Sequence, residues 1–402
     1  MGNLILTKQQ KRQIMFLMTM MFFVGVSATD IYIASLPQMV LDFHSTPRVV
    51  NLTLSCYSLG VAFAVLFVGE LSSRFGRRSC LLMGVLCFSL AAFLIAILPV
   101  IQLIIMLRVM QAFGCAVIII VPRLVLKDCM DEREQITANG ILLMGLIISP
   151  AIAPIIGAYL AKFWGWRSCF VGSGIFGMIL VTWCYFILPE TNHNRLVRFH
   201  PLGYYLQTYI KLLTNRMFLA LTGIYASGVA VYFTFIGISS YLYIQHWHMS
   251  PQHYSMLYLW LSCAYLSGNQ IMQYLNGKNI AADKIIRIGV YSTVFGALIV
   301  SSAWFLKLPN LALIIVTAGV FFMRAANALI NPPTQIRIMS HFNQDSAQAL
   351  GLNMCLGFTL SSGAISLVTM FAHQPLLGMV LVSGFFAFLA GILYHFNRKI
   401  LY

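Results

Sequence analysis

Twelve apolar segments, each about as long as a bilayer is thick, constrain this chain more than any other feature. They fall near 13–37, 50–69, 79–98, 101–126, 138–161, 167–188, 217–244, 253–275, 286–306, 311–336, 347–371 and 375–395. A helix rising 1.5 Å per residue crosses the hydrocarbon core in about 20 apolar residues. Lipid offers no partner to an open backbone, so each segment must close its own hydrogen bonds as a helix. Only 9% of the 402 residues are charged, against about 25% in soluble globular proteins. The pattern predicts an all-α membrane protein of twelve transmembrane helices and excludes a soluble multidomain enzyme.

The formal net charge of +15 invites a nucleic-acid reading, which needs Lys and Arg clustered on a soluble face. Here they punctuate the apolar runs instead, so no nucleic-acid partner is expected. With the N-terminus inside, the cytoplasmic side holds Lys8, Lys11, Arg12, Arg74, Arg77, Arg78, Arg123, Lys127, Arg133, Arg195, Arg198, Lys211, Arg216, Lys278, Lys284, Arg287, Arg337, Arg398 and Lys399. The opposite side holds Arg48, Lys162, Arg167 and Lys307. Positive residues mark cytoplasmic loops, so both termini are expected inside. The basic start before segment one resembles a signal peptide, but its apolar run exceeds 7–15 residues; it is expected to stay as helix 1.

The longest loop, 189–216, divides the chain into two six-helix halves, 1–188 and 217–402, with Pro189 and Pro201 inside the loop. The halves echo each other. Arg108-Val109-Met110-Gln111 in segment four answers to Arg324-Ala325-Ala326-Asn327 in segment ten, 216 residues later. Two pseudo-symmetric bundles built from parallel repeats are a recurring transporter plan.

Charge inside the apolar segments is scarce, so its exceptions carry the chemistry. Asp30 is the one acidic residue deep in any segment, and Arg108 and Arg324 are the two basic ones. Each costs about 2.5–3.5 kcal/mol at a bilayer centre by insertion scales. Counted from Leu36 and Val100, Asp30 and Arg108 sit at a similar depth, roughly 9–12 Å below the outer face, so they can pair. One reading is a static salt bridge. The other is proton coupling: burial and a nearby guanidinium pull a carboxyl's proton affinity in opposite directions, so separating the pair changes it.

Segment ten also carries Asn327, Asn331 and Gln335 on one helical face with Arg324. Pro332-Pro333 removes two backbone donors, which reads as a polar stripe ending at a broken helix beside a substrate cavity. The bland alternative is a hydrogen-bonded seam between helices. Nine cysteines without a CxxC pair read as packing residues, and His246, His248 and His253 as loop histidines. No metal and no cofactor is expected.

Several stretches together resemble the major facilitator superfamily, in particular its bicyclomycin-resistance-like drug-exporter branch. Gly69 to Arg78, with Gly69, Ser73, Arg74, Gly76 and Arg77, resembles the family's loop motif between helices 2 and 3. Arg108 to Gly114 is similar to the helix 4 motif, whose Arg is linked to proton coupling. Ser149 to Gly157, with Pro150, Pro154 and Gly157, resembles the antiporter motif of helix 5. Thr29-Asp30 through Tyr32 to Leu36-Pro37 is similar to the branch's helix 1 signature, and Trp166-Arg167 and Leu188-Pro189-Glu190-Thr191 also match its pattern. Ile238 to Tyr243 and Asn331-Pro332 match more loosely. Two positions depart. The loop motif normally has Asp where this chain has Ser73, which removes a charge–dipole term of about 0.3–1 kcal/mol. Arg324 maps to no branch motif.

The resemblance implies a proton-coupled exporter, an antiporter of multidrug-efflux type working by alternating access in a bacterial inner membrane. Asp30 and Arg108 would couple protons, and Tyr32, Gln111, Arg324, Asn327 and Asn331 would contact the substrate. The implied partners are a small-molecule substrate, protons and membrane lipids, with the chain working as a monomer. The excess of embedded Arg supports an alternative, a dedicated exporter of an anionic metabolite such as a carboxylate siderophore. An embedded acyltransferase would need an acid–base pair near one face, for which Asp42 and His44 in a short loop are poor material, so no enzyme is expected. A receptor on the same fold would need an added soluble domain or long tail, and none is expected.

Overall fold

The computed structural model describes residues 7–130, 132–192, 202–306, 308–342 and 345–401. Pro201, Arg195, Arg198 and Lys307 lie outside the described residues, as do the side chains of Arg133 and Lys399. Among the described residues the chain is helical, with no strand.

The helix α1 (Lys8–Asp30) opens with a reciprocal cap in which Thr7 Oγ1 accepts from Gln10 N and Gln10 Oε1 accepts from Thr7 N at 2.9 Å. That pair satisfies two of the donors a helix start leaves open. The segment expected as one helix from 13 to 37 is interrupted. The chain turns after Asp30, makes a 3₁₀ turn at Ile33–Ser35 and restarts as α2 (Leu36–Asp42). Pro37 falls in the first turn of α2, where its missing N–H costs nothing.

There follow α3 (Pro47–Phe75), α4 (Arg77–Ile97), α5 (Ile101–Cys129), α6 (Glu132–Trp164) and α7 (Arg167–Ile187). The loop expected at 189–216 contains a helix, α8 (Leu202–Thr214). It is amphipathic and too short to span: Thr208 and Leu212 are buried, while Leu206 and Ile210 are exposed. Then come α9 (Arg216–Ser240) with a π turn at Tyr241–His246, α10 (Pro251–Gly277), α11 (Ala282–Ser302), α12 (Pro309–His341), α13 (Ser346–Thr369) and α14 (Pro375–Leu401).

Eleven of these helical stretches are long and apolar enough to cross a membrane. The twelfth expected span, α10, is 27 residues long but is diluted by Gln252, Ser262, Ser267, Asn269, Gln270 and Gln273. Large apolar side chains face outward, such as Phe186 at 77% exposure and Ile97 at 73%, as a protein solvated by lipid requires. The expected break at Pro332-Pro333 does not occur. The helix α12 continues through both prolines to His341, as α6 continues through Pro150 and Pro154. Neighbouring helices and polar side chains satisfy what proline frees in a membrane helix.

The chain falls into two compact units, one within Met1–Ser35 and Phe63–Phe199, the other within Leu36–Ala62 and His200–Tyr402. In the first, α1 packs against α5, α6 and α7, and α4 against α5 and α7. The pair α1 and α6 runs parallel: Lys11 bonds Glu134 at 2.5 Å, Gly145 faces the Thr19 carbonyl, and Gly157 faces the Ile31 carbonyl. In the second, α9 packs on α12, α13 and α14, and α12 also on α10 and α11. Its core includes Leu221, Ile224, Val290, Ile330 and Leu352. Residues 36–62 are tied into this unit by Asn51, whose Nδ2 donates to the Gly237 carbonyl at 2.5 Å, and by Ser362, which donates to the Ser55 carbonyl at 2.9 Å.

Candidate functional site

Arg108 lies in α5 with no solvent exposure, so its charge must be satisfied by protein. Its Nη1 donates to the Ala28 carbonyl at 3.1 Å and to Gln111 Oε1 at 2.6 Å, and its Nη2 donates to the Tyr32 hydroxyl at 3.2 Å. The guanidinium carbon also lies 4.8 Å from the centre of the Tyr32 ring and 5.7 Å from that of Phe170. Ala28 is in the last turn of α1, where carbonyls lack helical partners. A cation there completes the hydrogen bonding and meets the negative end of the helix dipole. Hydrogen bonds to a charged group are worth about 1.5–3 kcal/mol each, and a desolvated cation–π contact about 2 kcal/mol, so the anchorage offsets the cost of burying the charge.

The structure therefore brings Tyr32, Arg108 and Gln111 together. Asp30, the last residue of α1, is 4% exposed and stands two residues from both Ala28 and Tyr32, which hold Arg108. Thr29 Oγ1 donates to its Oδ1 at 3.4 Å. The chain leaves α-helical geometry directly after it, which makes Asp30 the joint between α1 and the turn carrying Tyr32. Phe170, which also packs against Tyr32 at 5.0 Å and Trp166 at 6.0 Å between ring centres, was not legible in advance, since nothing in the local pattern of α7 refers to α5.

The loop motif forms a compact polar network in the same unit. Gly76 takes φ +96°, a conformation that favours glycine, and starts α4. Arg77 N donates to Glu190 Oε1 at 2.8 Å, its Nε pairs with Asp128 at 3.0 Å, and its Nη1 donates to Ser72 and Ser73 Oγ at 2.7 and 3.1 Å. Asn192 Nδ2 donates to the Ser73 carbonyl at 2.9 Å. Ser73 thus keeps a hydrogen bond at the position where the motif normally carries Asp. Gly69 supplies the carbonyl that accepts from Ser72 and Ser73, and Arg74 lies over the Phe75 ring at 5.6 Å. Pro150, Pro154 and Gly157 are buried in α6.

Glu190 places a carboxylate at the start of α4, where the dipole favours it by about 0.3–1 kcal/mol. Glu190→Gln is therefore expected to lower the thermal midpoint in detergent by about 1–4 °C. An unchanged midpoint, followed by intrinsic fluorescence, removes Glu190 from this network.

In the second unit, Arg324, Asn327 and Asn331 lie along α12. Asn327 is buried, and its Nδ2 donates to the Gly228 carbonyl of α9 at 3.1 Å. Asn331 Nδ2 donates to Asn327 Oδ1 at 3.2 Å, while Asn331 Oδ1 is buried with no hydrogen-bond partner among the described residues. Arg324 is half-buried, with its guanidinium carbon 3.8 Å from the centre of the Tyr232 ring and 4.7 Å from that of Tyr265. The stripe thus makes a seam through Asn327 and leaves an acceptor of Asn331 unsatisfied among the described residues. Among the described residues, no cluster of three or more His, Cys, Asp or Glu is placed to hold a metal, and the nine cysteines are free thiols, most of them buried.

Residues 15–367 match the family described as Major Facilitator Superfamily. The chain is 26% identical to an uncharacterized transporter of Rickettsia bellii (strain RML369-C) over 310 residues, 76% of each protein. It is 28% identical to a bicyclomycin resistance protein homolog of Haemophilus influenzae over 192 residues, 47% of this chain and 48% of that one. Its fold is similar to the crystal structure of a bacterial homolog of the human lysosomal transporter Spinster, with TM-score 0.78, 12% identity and 98% of each chain covered.

Proposed function

The chain belongs to the major facilitator superfamily, and on that premise we propose that it is a proton-coupled exporter of multidrug-efflux type in a bacterial inner membrane. It is a multi-pass membrane transporter with relatives named for drug resistance; proton antiport by alternating access is the finer reading. The six-helix bundles 1–188 and 217–402, joined through 189–216, alternately open their substrate-contacting residues to each side. Tyr32 and Gln111 serve in the first bundle, and Arg324, Asn327 and Asn331 in the second. Both termini lie in the cytoplasm, where the positive residues concentrate. The chain acts as a monomer on a small molecule, with protons and membrane lipids as its other partners.

One observation carries the reading. Asp30, the single deep carboxyl, sits at the end of α1 between the two residues through which α1 and its following turn hold Arg108. A movement of that turn changes the distance between the carboxyl and the guanidinium, and with it the affinity for a proton. The motif around Gly69 to Arg77 supplies a switchable cytoplasmic network, and Pro150, Pro154 and Gly157 shape the contact of α6 with α1.

The test is flux in proteoliposomes of the full chain, with an acidic interior and a panel of drugs that includes bicyclomycin. Accumulation of a compound together with proton efflux is expected. Entry of compound that stops at equal concentrations and moves no protons overturns the coupling. Movement of neither, across the panel, overturns export.

A further inference from the structure

Arg108 and Arg324 hold equivalent places in the 216-residue echo, yet the structure treats them in opposite ways. Arg108 is buried and hydrogen-bonded to Ala28, Gln111 and Tyr32. Arg324 is half-buried and makes no hydrogen bond or ion pair with any described residue; its contacts are the rings of Tyr232 and Tyr265. A guanidinium is always charged and presents five N–H donors, none of which a ring face can pair as a carboxylate does.

No acid on the neighbouring helices compensates it. The helices α9, α10, α12 and α13 contain no Asp or Glu. The acids within Leu36–Ala62 and His200–Tyr402 are Asp42, Asp283 and Asp345, which lie at the end of α2, in the first turn of α11 and just before α13. Arg324 is 15 residues from the start of α12 and 17 from its end, about 22 and 26 Å along the axis. That is too deep for a charged side chain at this place to be an ordinary headgroup contact.

The rings are set against Arg324 by two register contacts. Gly268 of α10, one turn after Tyr265, packs on the backbone of Ala325. Asn327 bonds the Gly228 carbonyl of α9, one turn before Tyr232. The two tyrosines therefore flank a fixed charge. Asn331 Oδ1, buried and without a hydrogen-bond partner among the described residues, adds an acceptor seven residues on, about 10 Å along the same helix.

We propose that Arg324, flanked by Tyr232 and Tyr265, is an oxyanion-binding site, and that the transported solute carries a carboxylate or phosphate joined to a planar or apolar body. The oxyanion takes the guanidinium donors in a charge-assisted pair, and the body lies against the tyrosine rings. This names the substrate class of the exporter proposed above and rests on that reading for transport, but not for binding.

The experiment is equilibrium binding to the full chain in phosphatidylcholine nanodiscs, with benzoate, inorganic phosphate and tetraphenylphosphonium as probes. Wild type is expected to bind benzoate, and phosphate more weakly, and to reject the cation. Arg324→Gln weakens both anions by about tenfold or more, while Arg324→Lys keeps charge but not the fork and is intermediate. Tyr265→Leu weakens benzoate more than phosphate, which supplies the test if Arg324→Gln fails to fold. Equal anion affinity in wild type and Arg324→Gln overturns the site, as does a wild type that binds only the cation. Phosphatidylglycerol in the nanodisc is expected to leave benzoate affinity unchanged; its loss there assigns the site to a lipid headgroup and overturns the solute. Anion binding without gradient-driven flux keeps this site and removes the exporter, whereas bicyclomycin flux without anion binding does the reverse.

Discussion

In Asp30→Asn, the substrate gradient that a proton gradient sustains is expected to fall to unity, while the protein still folds and still exchanges substrate down its gradient. One pH unit is worth about 1.4 kcal/mol, so a one-for-one exchanger without membrane potential supports about a tenfold substrate gradient per unit. Removing the titrating group removes that linkage whole. The substitution keeps the volume of a side chain only 4% exposed, so it opens no cavity. Arg108 keeps its bonds to Ala28, Gln111 and Tyr32, whose acceptors are neutral and unchanged by the substitution. Asp30→Glu restores a carboxyl and is expected to recover a gradient at a reduced rate. A tenfold gradient in Asp30→Asn proteoliposomes places the coupling proton on another residue.

The spans were legible because lipid solvation writes long apolar runs into the sequence, and the embedded charges were legible as breaks in those runs. What lay between helices was not. The stretch from Ile31 to Leu36 is as apolar as α1, so nothing marked the turn that sets Tyr32 on Arg108. The helix α8 has an amphipathic period but neither the length nor the hydropathy of a span, and it passed for loop. Local rules for proline predicted a break at Pro332, yet packing in the second unit carries α12 through it. Phe170, Tyr232 and Tyr265 carry no signal in their own neighbourhoods, since each acts on a guanidinium of another helix. Their roles exist only after α7 meets α5, and α9 and α10 meet α12.

The contrast between Gly157 and Gly140, both in α6, separates packing from charge at the same joint. A Cβ at Gly157 collides with the backbone carbonyl of Ile31, the residue after Asp30, whereas a Cβ at Gly140 meets nothing within 4 Å. No rotamer relieves a clash at Cβ, and the carbonyl is backbone, so α1 and α6 must part. At its other end the pair is tied by Lys11, which bonds Glu134 at 2.5 Å, and α6 is itself anchored to α7 where Cys169 donates to the Gly157 carbonyl at 3.4 Å. Overpacking of this kind costs about 1–3 kcal/mol and sometimes more, against a gain of about 0.5–1 kcal/mol from replacing a helical glycine by alanine. Gly157→Ala is therefore expected to be destabilised by about 2 kcal/mol, and Gly140→Ala to be neutral or stabilised, in unfolding midpoints measured in detergent. Equal midpoints for the two variants contradict the close approach. Gly157→Ala is also expected to lose gradient-driven flux, because parting α6 from Ile31 displaces Asp30 from its place beside the residues that hold Arg108. Asp30→Asn loses gradient-driven flux with its midpoint kept and Gly157→Ala loses both, so the pair distinguishes a residue that carries the proton from one that holds the carrier in position.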